Sequence, residues 1–366
     1  MIKKLLIIII ILSGILFTSN MQVSANVLSD EDINNIYTVT LFDGTFLFER
    51  SNVIVGDIYV DNQFDEYIVV SVNENEKTAK AKFNQRLSPP KVSFNLVNPS
   101  PIDTLNKKIA MYSTHNDESY VTGDGYDSVY GKGGIHDVAN KLKNEFKLKG
   151  IDTTYDETLH IPHDTYAYSR SSSTAKKLIE QNPNAIFDIH RDGASRKTYV
   201  STYNGQEVCK IRMVIGKSNA NYKVNQEFAL YLMSVAKEIH PWLFLDIYFG
   251  QGHYNQALSS KAILFEMGSH LVEKSLVLKS VEPLAEVINI ALFGTVVEEN
   301  GDAVIGGNSD QNPTIDEYFQ IKDENLKNTN YNTILWGVMT TVGIIIIVGG
   351  VFLILNKTKI LIKDKN

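Results

Sequence analysis

Three apolar runs in this chain each end on a side chain able to ligate a metal or move a proton. Met111-Tyr112 leads into Ser113-Thr114-His115-Asn116-Asp117-Glu118, Ile186-Phe187-Asp188-Ile189 ends at His190, and Ile263-Leu264-Phe265 ends at Glu266. As strands of one sheet, such runs bring their carboxyl ends to a common crevice, so residues far apart in sequence can share a site. Zinc in hydrolases takes three nitrogen or oxygen ligands and keeps a fourth position for water, whose pKa falls to about 7. His115, Glu118 and His190 supply such a set, with His-x-x-Glu bending two ligands from one strand end onto one ion. Zn2+ is the expected cofactor, although the same ligands suit other divalent ions. Glu266 is the candidate base that takes the water's proton and returns it to the leaving nitrogen. Arg191 is the candidate catalytic cation, a fork of donors for a substrate carboxylate or an oxyanion. Arg170, Asn255 and Gln256 are candidates to line the groove for the substrate, and His163 and His253 read as loop histidines.

For these strand ends to meet, the segments between them must cover a sheet. From 108 to about 296 the hydrophobic period alternates between that of strands and that of helices, which predicts an α/β fold with a mixed sheet flanked by helices. Strands are expected at 109–113, 185–189, 208–215 and 262–266, and helices at 137–148, 174–181, 224–239 and 281–293. Gly150 stops the first helix and Pro241 follows the third. This catalytic domain is assigned 106–297. Before it, 26–105 alternates apolar and polar residues between turn dipeptides such as Asp43-Gly44, which predicts a small β-rich domain. Ser88-Pro89-Pro90 and Pro99-Ser100-Pro101 mark a linker at its end.

The two ends of the chain point to the cell envelope. Lys3 and Lys4, an apolar run over 5–17 and the small residues Val23-Ser24-Ala25 form a signal peptide over 1–25. The charge-free run 334–355 holds 22 residues, enough to cross a bilayer, and predicts a transmembrane helix within 332–356. Lys357, Lys359, Lys363 and Lys365 follow, which puts the tail 357–366 in the cytoplasm and the catalytic domain outside it. Between them, 298–331 carries eight Asp or Glu against two Lys and predicts a flexible acidic stalk. A net charge of −7 without a basic stripe excludes nucleic acid as a partner. The single cysteine, Cys209, cannot form an internal disulfide and reads as a packed strand residue.

Ser113-Thr114-His115-Asn116-Asp117-Glu118-Ser119-Tyr120, Tyr168-Ser169-Arg170-Ser171, Asp188-Ile189-His190-Arg191-Asp192, Tyr254-Asn255-Gln256 and Leu264-Phe265-Glu266-Met267-Gly268 together resemble the stage II sporulation protein P family. The resemblance covers about 110–290, with a fainter echo in the β-rich region. Members are peptidoglycan hydrolases related in fold to the zinc N-acetylmuramoyl-L-alanine amidases. The resemblance implies cleavage of the amide between the lactyl group and the stem-peptide L-alanine, with peptide cross-link cleavage also attributed to the family. It puts His115 and His190 on metal motifs and Glu266 on the catalytic glutamate. The amidases carry a Glu just before their first long helix, where this chain reads Gly133-Gly134-Ile135-His136-Asp137, so the third ligand is Glu118 or His136. This chain pairs a signal peptide with a C-terminal span, whereas the sporulation proteins are anchored at the N-terminus. Two other functions stay open: a catalytically silent wall-binding scaffold for a partner hydrolase, and a zinc peptidase acting on stem-peptide bonds. The second is suggested by zinc carboxypeptidases, which share the order His-x-x-Glu, then His, then Glu.

Overall fold

Alternation with a period of two sorts the side chains of the central strands onto two faces. Ile263, Phe265 and Met267 enter one core with Phe187, Ile189, Met213 and Ile215, while the intervening Leu264 and Val214 belong to a second. The polar residues Asp188, His190, Arg212, Asp246 and Glu266 occupy the same alternate positions as Leu264 and Val214. One face of the sheet is therefore apolar, and the other mixes apolar packing with buried charge.

In this computed structural model the described residues are 35–88, 92, 106–294, 296–299 and 302–305. The strands are β1 (Ile36–Thr40), β2 (Phe46–Ser51), β3 (Ile58–Asp61), β4 (Asp65–Asn73), β5 (Thr78–Arg86), β6 (Lys108–Tyr112), β7 (Asp152–Asp156), β8 (Ala185–Asp192), β9 (Val200–Tyr203), β10 (Gln206–Cys209), β11 (Ile211–Gly216), β12 (Phe244–Gly250) and β13 (Ala262–Ser269). The main helices are α1 (Ile135–Leu148), α2 (Ala167–Ile179), α3 (Tyr222–Ile239), α4 (Lys274–Lys279) and α5 (Val281–Phe293). Eleven strands form one mixed sheet in the order β2-β1-β5-β4-β3-β12-β11-β13-β8-β6-β7, and β9 pairs with β10 apart from it. The expected mixed α/β architecture is present.

Helices α1, α3 and α5 cover the apolar face. In α1 the buried residues Ile135, Val138, Ala139, Leu142 and Phe146 form one stripe at helical spacing, and Gly150 follows the helix at φ 73°, where a residue without Cβ fits. The opposite face is covered by α2 and, through a curl of the sheet, by its own first strands. Phe48 of β2 stacks on Tyr59 of β3 at 4.7 Å and meets Tyr248 of β12 edge-on at 5.7 Å, although β2 stands far from β12 in strand order.

Several expectations need revision. The β-rich segment has no sheet of its own. Strand β3 pairs antiparallel with β12, Val60 opposite Ile247, so the segment extends the central sheet and one edge is closed by backbone hydrogen bonds. The expected strand 208–215 is two strands, because the chain turns at Lys210, whose N–H donates to the Tyr199 carbonyl. The helix expected at 174–181 starts at Ala167, and β7 and β12 were not foreseen. Cys209 is buried at the end of β10. The acidic stretch begins with paired strands, Val296–Glu299 against Asp302–Ile305. Among the described residues no helix is long and apolar enough to cross a membrane; the runs 1–25 and 334–355 lie outside them.

A row of buried charge crosses the sheet beside the apolar packing. Arg212 stands opposite Glu266 on one side and Asp246 on the other. Its guanidinium grips Asp246 through two hydrogen bonds of 2.7 and 2.9 Å and donates a third, of 2.6 Å, to Asp192. Burial pushes the Asp246 carboxyl up, and the guanidinium opposes it. Removing one partner of a buried pair strands the other charge, at a cost of about 3–5 kcal/mol. Arg212→Ala should therefore lower stability by that amount in urea unfolding with an unchanged slope. A loss below about 1 kcal/mol would show that the row contributes little.

Candidate active site

The row continues across β13 into β8, where Glu266 stands directly opposite His190 in parallel register. Strand β6 lies beyond β8, and the chain leaving it carries His115 and Glu118. The three strands expected to converge are thus neighbours in the order β13-β8-β6, but β8 and β13 run on to Asp192 and Ser269, so His190 and Glu266 lie within their strands and not at their ends.

At their meeting point, Nδ1 of His115 and Nδ1 of His190 each lie 3.1 Å from the same oxygen, Oε1 of Glu118. All three side chains are buried. Two ligands of a tetrahedral zinc, each about 2.0–2.1 Å from the ion, are separated by roughly 3.3 Å, so each contact with Glu118 taken singly has the length a shared ion requires. The group whose ligand atoms all lie within 4.8 Å of one another is His115, Glu118 and His163, without His190. The outer partners fit as well. Nε2 of His190 makes an ion-pair contact of 2.9 Å with Asp188 Oδ1, while Nδ1 faces Glu118. Burial opposes charge on His190, but the Asp188 and Glu118 carboxylates outweigh it and raise the imidazolium well above the usual histidine range. A site with that demand for positive charge fits a divalent cation, which would replace the ring proton.

Asp188 also accepts from the Thr114 backbone N–H at 2.8 Å and from the Thr114 hydroxyl at 2.6 Å, which ties the His115 loop to β8. Asp188→Asn should weaken metal affinity about 10–100-fold, the usual effect of losing an outer carboxylate. Competition with a chromophoric chelator measures this, and an unchanged affinity would remove Asp188 from the metal's support.

Glu118 is held where the sequence left a choice. Its Oε2 accepts from the Arg191 backbone N–H at 2.8 Å, and its carbonyl accepts from the Ile135 N–H at 3.0 Å. Gly133 explains the glycine pair before α1, since a Cβ there would lie 2.1 Å from the Glu118 carbonyl oxygen. His136, the rival ligand, is turned elsewhere: its Nδ1 lies 3.0 Å from the Tyr155 hydroxyl and 3.6 Å from Glu157. Glu118 contacts both His115 and His190, while the Nε2 of His136 is buried without a hydrogen-bond partner among the described residues.

His163, a loop histidine in the sequence reading, is a further donor at the site. Ligand atoms of His115, Glu118 and His163 all lie within 4.8 Å of one another, and the His163 ring stacks on His115 with centroids 3.9 Å apart. Nδ1 of His163 is 3.0 Å from Asp117 Oδ1, and its Nε2 has no hydrogen-bond partner among the described residues. Burial would raise the Asp117 carboxyl, but His163 and Ser128 outweigh it and hold it down at about 2. His190 shares the Glu118 oxygen and is fully enclosed, but it is outside the group whose ligand atoms lie mutually within 4.8 Å, whereas His163, on a loop and partly exposed, is inside it. A loop histidine carries no periodic signal, and its partner Asp117 is 46 residues away. His253 is exposed in the turn that leads to Asn255, whose backbone N–H donates to its ring.

The residues expected to face the substrate hold hydrogen bonds within the fold. Arg191 spends its guanidinium on the carbonyls of Ser119 and Asp127, at 3.2 and 3.0 Å, so it braces the loop that carries Glu118. Arg170 binds the carbonyls of His160 and Pro162 and the Asp164 carboxylate, fastening the His163 loop. Asn255 donates to the Tyr168 carbonyl and Ser171 Oγ at 3.0 Å each. Gln256 accepts from the Gly216 N–H and donates to the Val214 carbonyl, 2.8 Å each. Buried polar groups of this kind satisfy the backbone that surrounds a site. Tyr168 packs against both His115 and His190, with ring centroids 5.3 and 6.2 Å away.

Comparison with known proteins bears on family alone. The family profile described as Stage II sporulation protein P (SpoIIP) matches residues 50–289. The Stage II sporulation protein P of Bacillus subtilis (strain 168) is 27% identical over 215 residues, 53% of this chain and 51% of that protein. The chain thus spans about half the length of that curated relative. Among solved structures, the CwlD amidase from Clostridioides difficile in complex with the GerS lipoprotein aligns with a TM-score of 0.36 at 14% identity, over 50% of this chain and 94% of that one. The apo form of the N-acetylmuramyl-L-alanine amidase Ami1 from Mycobacterium abscessus aligns with a TM-score of 0.32 at 10% identity, over 50% and 94% of the two chains.

Proposed function

Because the chain belongs to the stage II sporulation protein P family, we propose that it hydrolyses peptidoglycan at the amide between the lactyl group and the stem-peptide L-alanine, using Zn2+. His115, Glu118 and His190 would hold the ion, with His163 beside them. The observation that carries this function is the approach of two imidazole nitrogens to one buried carboxylate oxygen, 3.1 Å each, with Glu266 opposite His190 on the next strand.

A zinc ion so held acidifies a water and polarises an amide carbonyl. The chain's own groups do the rest. Glu266 accepts the proton of the attacking water and passes it to the departing nitrogen, which otherwise leaves as a poor anion. Asp188 lies against the His190 ring, and Tyr168 packs against both imidazoles. The choice of amide over peptide bond rests on the family resemblance. The apolar run 334–355 and the lysines after it support a single-pass anchor in the cell membrane, with the catalytic residues outside the cytoplasm and the substrate in the adjacent wall.

The test is incubation of the purified full-length protein, with metal content measured, with isolated peptidoglycan. Release of whole stem peptides bearing new L-alanine amino termini supports the proposal. Shortened peptides would make it a peptidase instead, and binding without release at full metal loading would make it a scaffold.

A further inference from the structure

The curl of the sheet carries one side chain from the first strands into the neighbourhood of Glu266. Arg50 lies on β2, at the outer edge of the strand order, yet its Nη1 is 3.4 Å from Glu266 Oε1 and 3.9 Å from Asp192 Oδ1. The side chain is 2% exposed, and its guanidinium lies over the Tyr248 ring at 4.5 Å. Tyr248 itself donates to Asp57, so the aromatic platform under Arg50 is tied to the chain just before β3. Nearby, the Arg212 guanidinium donates to the Glu49 carbonyl at 3.3 Å, which fixes the backbone one residue before Arg50. Burying a guanidinium requires partners for its charge and its fork of donors, and here acidic partners are drawn from β13 and β8.

We propose that Arg50 is a positioning residue for the Glu266 carboxylate, so that the N-terminal strands complete the hydrolytic site. This rests on Glu266 acting as the base. A glutamate on a strand has two free side-chain torsions before its terminal group, and proton transfer needs its oxygen within hydrogen-bond reach of the water. A charge-assisted contact from a guanidinium that is itself stacked and enclosed selects one orientation of that carboxylate. Arg212 cannot do the same, because its fork is already committed to Asp246 and Asp192. Asp192, in turn, accepts from Arg212 and the Tyr199 hydroxyl, which steadies the second acidic partner of Arg50.

The experiment is a double-mutant cycle in the full-length protein, with kcat, KM and bound metal measured on soluble peptidoglycan fragments. Arg50→Met should lower kcat about 10²-fold with KM within twofold and metal content unchanged, and Arg50→Lys should recover about tenfold of the loss. In a Glu266→Gln background, Arg50→Met should have no further effect, since a residue acting through another adds nothing once that other is gone. An unchanged kcat, an additive loss, or a loss of metal along with activity overturns the proposal. Should Arg50→Met fail to fold, Arg50→Lys carries the same cycle, and failure of both to fold also overturns it, because the arginine would then hold the fold and not the carboxylate. If instead Glu266→Gln alone leaves kcat intact, it is the assignment of the base that fails.

Discussion

Glu266→Gln is expected to reduce stem-peptide release by about 10²–10⁴-fold while metal content and peptidoglycan binding stay at wild-type levels. The substitution keeps the shape of the side chain and an oxygen able to face Arg50, so the sheet has little reason to rearrange. What disappears is a group able to accept a proton from water and deliver it to the leaving nitrogen. Arg50 retains Asp192 at 3.9 Å, so its charge is not stranded by the change. The loss should appear in kcat and not in KM, the pattern of an interaction made in the transition state alone. A kcat within about tenfold of wild type would remove Glu266 from proton transfer and leave the site without an identified base.

His190→Ala should abolish stoichiometric metal binding and, with it, hydrolysis. The loss of affinity should exceed the 10–100-fold that follows removal of an outer partner, because a direct donor is lost. The variant also leaves the Glu118 and Asp188 carboxylates facing a space where a ring had separated them. A thermal readout follows from linkage. An ion that binds the native state alone adds about 4 kcal/mol of stability at a thousand times its Kd, so wild-type Tm should rise with added Zn2+ and the variant's should not. Chelation of the wild type should stop the reaction, and restored zinc should return it. Full metal occupancy in the variant would move the ion to other ligands, with His163 the first to consider.

The convergence of His115, His190 and Glu266 was legible in the sequence because each ends an apolar run, and strand periodicity is a local property. The helix at 281–293 was legible for the same reason. What could not be read was pairwise. Strand β12 contains Asp246, and a charge inside a buried strand makes sense only when Arg212 is seen opposite it in β11. Arg191, Arg170, Asn255 and Gln256 are of the right type and lie near the right strand ends. A polar side chain near a site serves either the substrate or the surrounding backbone, and only coordinates tell which carbonyl it has taken. His163 reaches the site through a loop and Arg50 through the curl of an edge strand, and neither route has a periodic signature. The proline-rich stretch marks a boundary between modules in the sequence, whereas the ladder between β3 and β12 joins the strands on either side of it into one sheet.

That ladder has a consequence for how such proteins can diversify. A crossover between two relatives at the proline-rich stretch would unite strands β1–β5 of one parent with the charge row of the other. The fit would depend on whether the incoming β2 brings a cation to the place where Glu266 and Asp192 await one. Mismatched parents would bury unbalanced charge, so viable hybrids should inherit the cation and its acidic partners together, whatever else they exchange.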